Sequence, residues 1–232
     1  MDIKKYFEKV SEQSKEVFNS TIDTHEKDLA KSHHLCSCIF DFTEEIILVN
    51  EEICALKNAI SQLETSLYCL TIGLYRQAKT CLRLGLELSL GSILFSTNKL
   101  EYLEWKIGKQ DIRWSKLIDV ENGVLSQRFS TVFNPDLTEE VPEFNKKARI
   151  VYRSLSEFVH GNNETWTRSG LELVYNEDLV SDFFTYFHEV CEVVLFTLSI
   201  RYLKNIDKDN LDFLGTELSH IEPIRIYLGG PK

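Results

Sequence analysis

Proline is scarce in this chain, with four in 232 residues at positions 135, 142, 223 and 231, so nothing of that kind interrupts helix formation over the first 134 residues. Long apolar runs are missing as well. The stretch Val193-Val194-Leu195-Phe196-Thr197-Leu198-Ser199-Ile200 is among the longest and is too short to span a bilayer. The opening Met1-Asp2-Ile3-Lys4-Lys5 leads straight into charged amphipathic sequence rather than a signal peptide, so a cytoplasmic protein with no membrane partner is expected. There is no Walker loop, no GxGxxG and no GxSxG, which leaves nucleotide hydrolysis and acyl transfer without support. Paired CxxC or HxxxH halves are absent too. His34 and Cys38 stand one helical turn apart within His33-His34-Leu35-Cys36-Ser37-Cys38 but have no second half, and His188-Glu189-Val190-Cys191-Glu192 lacks the second histidine of a zinc-protease helix, so neither a metal nor a cofactor is expected.

What is present is ordinary globular composition, 43% hydrophobic and 27% charged, with six cysteines mostly set singly in apolar context as reduced thiols would be. The net charge of −10 argues against a protein that coats nucleic acid non-specifically. It is unevenly spread. Residues 1–75 carry −6, residues 76–116 carry +4 and residues 117–232 carry −8. The cationic middle holds Arg76, Lys79, Arg83, Lys106, Lys109, Arg113 and Lys116, and Lys146, Lys147, Arg149 and Arg153 form a second basic cluster. A basic groove on an acidic body and a solvated charge fluctuation are both compatible with this pattern.

The periodicity predicts a mostly helical, single domain over 1–232, without internal repeat or flexible linker. A first helix is expected from Asp2 into the twenties and a second from about Asp41, with Asp41 as its cap. A third is expected from about Glu64 to Leu94, with bends or close contacts at Gly73, Gly85 and Gly91, then short helices near 99–107 and 111–121. A loose connection follows over 122–141 and a helix begins near Pro142. Leu171, Leu173 and Tyr175 alternate as a short strand or extended loop would, Asp178 opens a long final helix to about Asn205, and Ile221 to Leu228 is read as an extended tail.

The chemistry concentrates in Tyr152-Arg153-Ser154-Leu155-Ser156-Glu157-Phe158-Val159-His160-Gly161-Asn162. Arg153 and His160 are seven residues apart, which places them two turns apart on one side of a helix. Lys146, Arg149, Ser156 and Glu157 share that side; Ala148, Val151, Leu155, Phe158 and Val159 take the other; Gly161 supplies the stop. An arginine can stabilise the extra charge of a phosphorane, and a histidine can take a proton from a ribose 2′-hydroxyl or return one to the leaving oxygen. The alternative is a solvated helix face with Glu157 pairing Arg153. Arg83 and Glu87, four apart on the third helix, form a polar stripe with Arg76 and Thr80. They either pair with each other in solvent or face the motif helix, where Arg83 would meet phosphate and Glu87 would orient the pair. Trp105, Trp114, Trp166, Tyr102 and Tyr152 are aromatics able to stack on bases, but isolated aromatics more often belong to a core or interface, and only Trp166 and Tyr152 lie near the motif in sequence.

The Arg153–His160 spacing, with six intervening residues, resembles the Arg-x(4–6)-His motif of the HEPN superfamily, α-helical proteins of which many are metal-independent ribonucleases. The resemblance implies an all-α, HEPN-like bundle with a short extended segment after the motif helix. It implies a homodimer in which two motif helices face each other, Arg153 and His160 as the catalytic pair, and RNA as substrate. It also implies an antiviral or toxin-antitoxin setting with an antitoxin or effector-system protein as possible partner. Ser156, Glu157, Asn162 and Asn163, with Arg83 and Glu87, are the substrate-positioning candidates. Many active members carry Asn, Asp or His where Ser154 follows the arginine here. That difference and the acidic balance fit the alternative, a non-catalytic helical module that binds a partner protein or a nucleotide ligand.

Overall fold

In the computed structural model, which describes residues 2–47, 54–160, 171, 173–207, 210, 211, 214 and 217–231, the described residues fold as α-helices without a strand. The helices are α1 (Ile3–Ile47), α2 (Cys54–Thr71), α3 (Tyr75–Phe95), α4 (Lys99–Lys106), α5 (Trp114–Leu117), α6 (Gln127–Phe133), α7 (Val141–His160), α8 (Glu177–Tyr202) and α9 (Glu222–Tyr227). Short 3₁₀ turns sit at Pro135–Leu137 and Leu203–Asn205.

The first helical stretch ends in the twenties as expected: His25, at φ −121° and ψ 29°, is non-helical, and α1 is two stretches joined across a kink there. The second stretch starts just after that kink rather than near Asp41, since no proline or glycine occurs before Gly73 to hold it off. Asp41 lies inside it rather than capping a new helix. The expected third helix is two. Gly73, at φ +80°, ends α2: its N–H donates to the Leu70 carbonyl and that of Leu74 to Cys69, the two bonds of a Schellman turn, and α3 starts at Tyr75. The resulting hairpin packs tightly because Gly85 presents no Cβ to Leu63. The connection over 122–141 carries α6, whose start is capped by Ser126 Oγ accepting from the Phe129 N–H at 3.1 Å. The expected extended tail is the short helix α9, with Pro223 in its first turn, where a proline costs nothing.

The core is built on α8. Phe183, Phe187, Val190, Val194 and Leu198 are fully buried, and α1, α3 and α7 pack around them. Residues 177–205 are long and apolar enough to cross a membrane by length and composition, a longer segment than the apolar run in the sequence alone marks; 72% of its most apolar 18-residue stretch is buried within the bundle. Asn176 Oδ1 accepts from the Leu179 N–H and caps α8. The return from α7 ends in non-helical residues 173–176, where Tyr75 OH donates to the Val174 carbonyl and accepts from the Asn176 N–H. Residues 161–170 and 172, on which the rest of the expected extended segment falls, are outside the described residues.

Candidate functional site

α7 buries Phe144, Ala148, Val151 and Leu155 against the core and turns its basic side outward. Arg153 is at the middle of that outward face, its side chain 85% exposed, with Nε 3.6 Å from Glu157 Oε1. Ser156 spends its hydroxyl on the Tyr152 carbonyl one turn back, at 2.7 Å. His160 is the last residue of α7, two turns beyond Arg153; its side chain, and all of Asn162, Asn163 and Trp166, lie outside the described residues.

Arg83 and Glu87 do face the motif helix, and their contact there is Tyr152. Arg83 Nη2 donates to Tyr152 OH at 2.7 Å and lies 3.2 Å from Glu87 Oε1, while Tyr152 OH donates to the same carboxylate oxygen at 2.6 Å. The guanidinium also sits 4.7 Å from the Tyr152 ring centre, and the indole of Trp114 stacks on that ring at 3.8 Å, nearly parallel. Burial, followed by the Glu87 carboxylate, pushes the Tyr152 phenol up to about 12, so it remains a donor through the neutral range. One face of Tyr152 and of Trp114 is therefore already occupied, and Tyr102 is buried against Phe95 and Trp105. Of the two readings open to these aromatics, base platform or packing residue, the second describes Tyr152, Trp114 and Tyr102. Here they hold helices together.

Several cations of the two basic clusters are spent the same way. Arg149 donates from Nη2 to the Ile118 carbonyl and from Nε to Asn145 Oδ1. Lys147 pairs with Glu192, and Lys116 with Glu101. Lys79 is the largest departure. It is 1% exposed, its Nζ stands 3.2 Å above the ring centre of Phe158 and 5.4 Å from that of Tyr186, and it has no hydrogen-bond acceptor. Burial draws its pKa down to about 8, against a partial opposing pull from Asp182. The signal was available in the spacing, since Lys79, Leu82 and Leu86 follow one another at core intervals along α3.

The metal-like pair is present as a contact without a coordination set. Cys38 Sγ is 3.6 Å from His34 Nε2, which is 3.4 Å from Glu217 Oε1, and no group of three ligating side chains with metal geometry occurs among the described residues. Burial, then Glu217 and Asp41, pushes the Cys38 thiol to about 11, so it is held as a thiol rather than a thiolate ligand. His188 meets Ser32 Oγ at 3.2 Å, and burial with Lys31 nearby lowers its pKa.

The outward face of α7 offers one kind of chemistry. An exposed guanidinium with a loose carboxylate partner can exchange that partner for a phosphate, which accepts the same forked donors. Comparison of the chain with family models, with curated proteins and with solved structures returns no match.

Proposed function

We propose that this chain is an endoribonuclease working without a metal, in which the outward face of α7 forms the site and a second copy completes the cleft. The observation that carries the reading is the exposure of Arg153 at the centre of a solvent-facing basic stripe, two turns before a helix-terminal histidine. In the proposed reaction the 2′-oxygen attacks the adjacent phosphorus, the bond to the 5′-oxygen breaks and a 2′,3′-cyclic phosphate remains. His160 takes the 2′-proton or returns one to the leaving oxygen, and Arg153 holds the phosphate as its charge grows. The Arg83–Glu87–Tyr152–Trp114 cluster fixes the rotation and height of α7 so that Arg153 stays on the solvent side. That makes Arg83 and Glu87 positioning residues rather than phosphate contacts. An antiviral or toxin-antitoxin role in the cytoplasm follows from the HEPN resemblance. The test is incubation with total RNA and analysis of the new ends: cyclic phosphates, and resistance of a substrate bearing a 2′-deoxy residue at the cut, support the reading, whereas cutting of the 2′-deoxy substrate removes it.

A second reading has its own support in the Arg153–Glu157 pair and in the number of neighbouring cations already engaged within the fold. It is a non-catalytic bundle that binds a protein or a nucleotide-like ligand through the same α7 face. It predicts undamaged RNA, together with a binding partner lost on Arg153→Glu.

A further inference from the structure

We propose that the cleft between α1, α8 and residues 217–220 binds a free α-amino acid with an apolar side chain, through Lys31 and Glu189 and independently of any activity on RNA. The cleft has a volume of about 450 Å³, within the range of small-molecule sites, and no residue of α7 lines it. What marks it as a site is how its charged and polar groups are left. Most are satisfied inside the fold. Glu192 takes Lys147 Nζ at 2.6 Å on one carboxylate oxygen and His220 Nε2 at 2.9 Å on the other; Glu217 stands 3.4 Å from His34 Nε2, and His188 Nε2 meets Ser32 Oγ at 3.2 Å.

Two lining groups are not satisfied. Lys31 on the α1 wall and Glu189 on the α8 wall make no hydrogen bond or ion pair with any described residue, each other included. Glu189 is half-buried, so its carboxylate has given up part of its water without gaining a donor. Burial raises its pKa, Lys147 offsets part of that rise and Glu192 adds to it. An ammonium arriving at Glu189 would reverse the penalty.

An open cation and an open anion on separate walls of one cleft select a ligand that carries both opposite charges. Its ammonium meets Glu189 and its carboxylate meets Lys31. Thr185, one turn before Glu189 on α8, donates its hydroxyl to the Ser181 carbonyl at 3.2 Å, which leaves its oxygen as an acceptor for a second proton of the ammonium. The buried leucines Leu35, Leu195 and Leu218 line the cleft as well, and a charged side chain placed against them would lose water without gaining a partner. A simple amine leaves Lys31 open, and a simple carboxylic acid leaves Glu189 open.

The experiment titrates the full-length native protein calorimetrically with leucine, leucinamide, which lacks the carboxylate, and 4-methylpentanoate, which lacks the ammonium. The expected result is binding of leucine, with each single-charge probe weaker by about tenfold or more. Lys31→Met should weaken leucine to the level of leucinamide and leave leucinamide unaffected. Glu189→Gln should do the same relative to 4-methylpentanoate. This crossed pattern reports charge recognition, which a purely structural role of either residue would not produce, and the wild-type titrations stand whether or not a variant folds. No binding of leucine at about 10 mM overturns the proposal. So does equal binding of either single-charge probe, or leucine binding unchanged in both variants.

Discussion

Lys79 shows how a single residue can cost stability and still be kept. Its ammonium is enclosed by Phe158 and Tyr186 without an acceptor, and its folded pKa of about 8 lies below the unfolded value of 10.5. Folding therefore opposes the charged form. The penalty is fully present below pH 8, shrinks as pH rises from there towards 10.5, and is gone above it. Lys79→Met, similar in length and uncharged, should stabilise the protein by about 2–3 kcal/mol at pH 7. In denaturant melts that gain should fall away between pH 8 and 10.5, and a gain constant across this range would show that the amine is not the cause. Tyr152 works in the opposite direction. Tyr152→Phe removes the hydroxyl that links Arg83 to Glu87 and should cost about 1–3 kcal/mol in the same melts. The polar stripe of Arg83 and Glu87 was legible in the sequence because it needs only the helical repeat. Tyr152 and Trp114 as its partners were not, because they lie on other helices and only packing brings them together.

Among the elements, those with strong local punctuation were readable and those governed by its absence were not. Pro142 marks the start of α7 and Asn176 that of α8 within a residue or two of where the sequence indicated. The start of the second stretch of α1 was misplaced because Asp41-Phe42-Thr43-Glu44 has the composition of a helix start; these residues instead continue the helix that resumes after the kink at His25. Gly73 was legible as a bend or close contact, but not as the end of one helix and the start of the next. Its function as a turn depends on the left-handed φ and on Val17 lying 3.3 Å from where a Cβ would be. The cap on α8 makes a direct prediction: Asn176→Ala leaves the Leu179 N–H without its acceptor and should cost about 1 kcal/mol, read as a lower unfolding midpoint with unchanged slope. No loss would mean that the Tyr75 contact with the Asn176 backbone fixes this end alone.

For the whole molecule, the all-α architecture was foreseeable from proline scarcity and apolar periodicity, and the candidate site only in part. Charge of one sign clustered in the sequence, and in the fold several of those cations turn inward or pair, leaving Arg153 as the cation displayed at the centre of the α7 face. If two copies share that face, Arg153→Glu should weaken self-association or RNA binding while leaving the unfolding free energy within about 0.5 kcal/mol of wild type, because the side chain is exposed. The central claim concerns the reaction itself. Its most direct measurement is the rate at which purified wild type and His160→Ala, shown by melting to be equally folded, cleave single-stranded RNA in the presence of a metal chelator. The account predicts cleavage by wild type and a loss of about 100-fold or more in the variant; equal rates, or no cleavage by wild type, would contradict it.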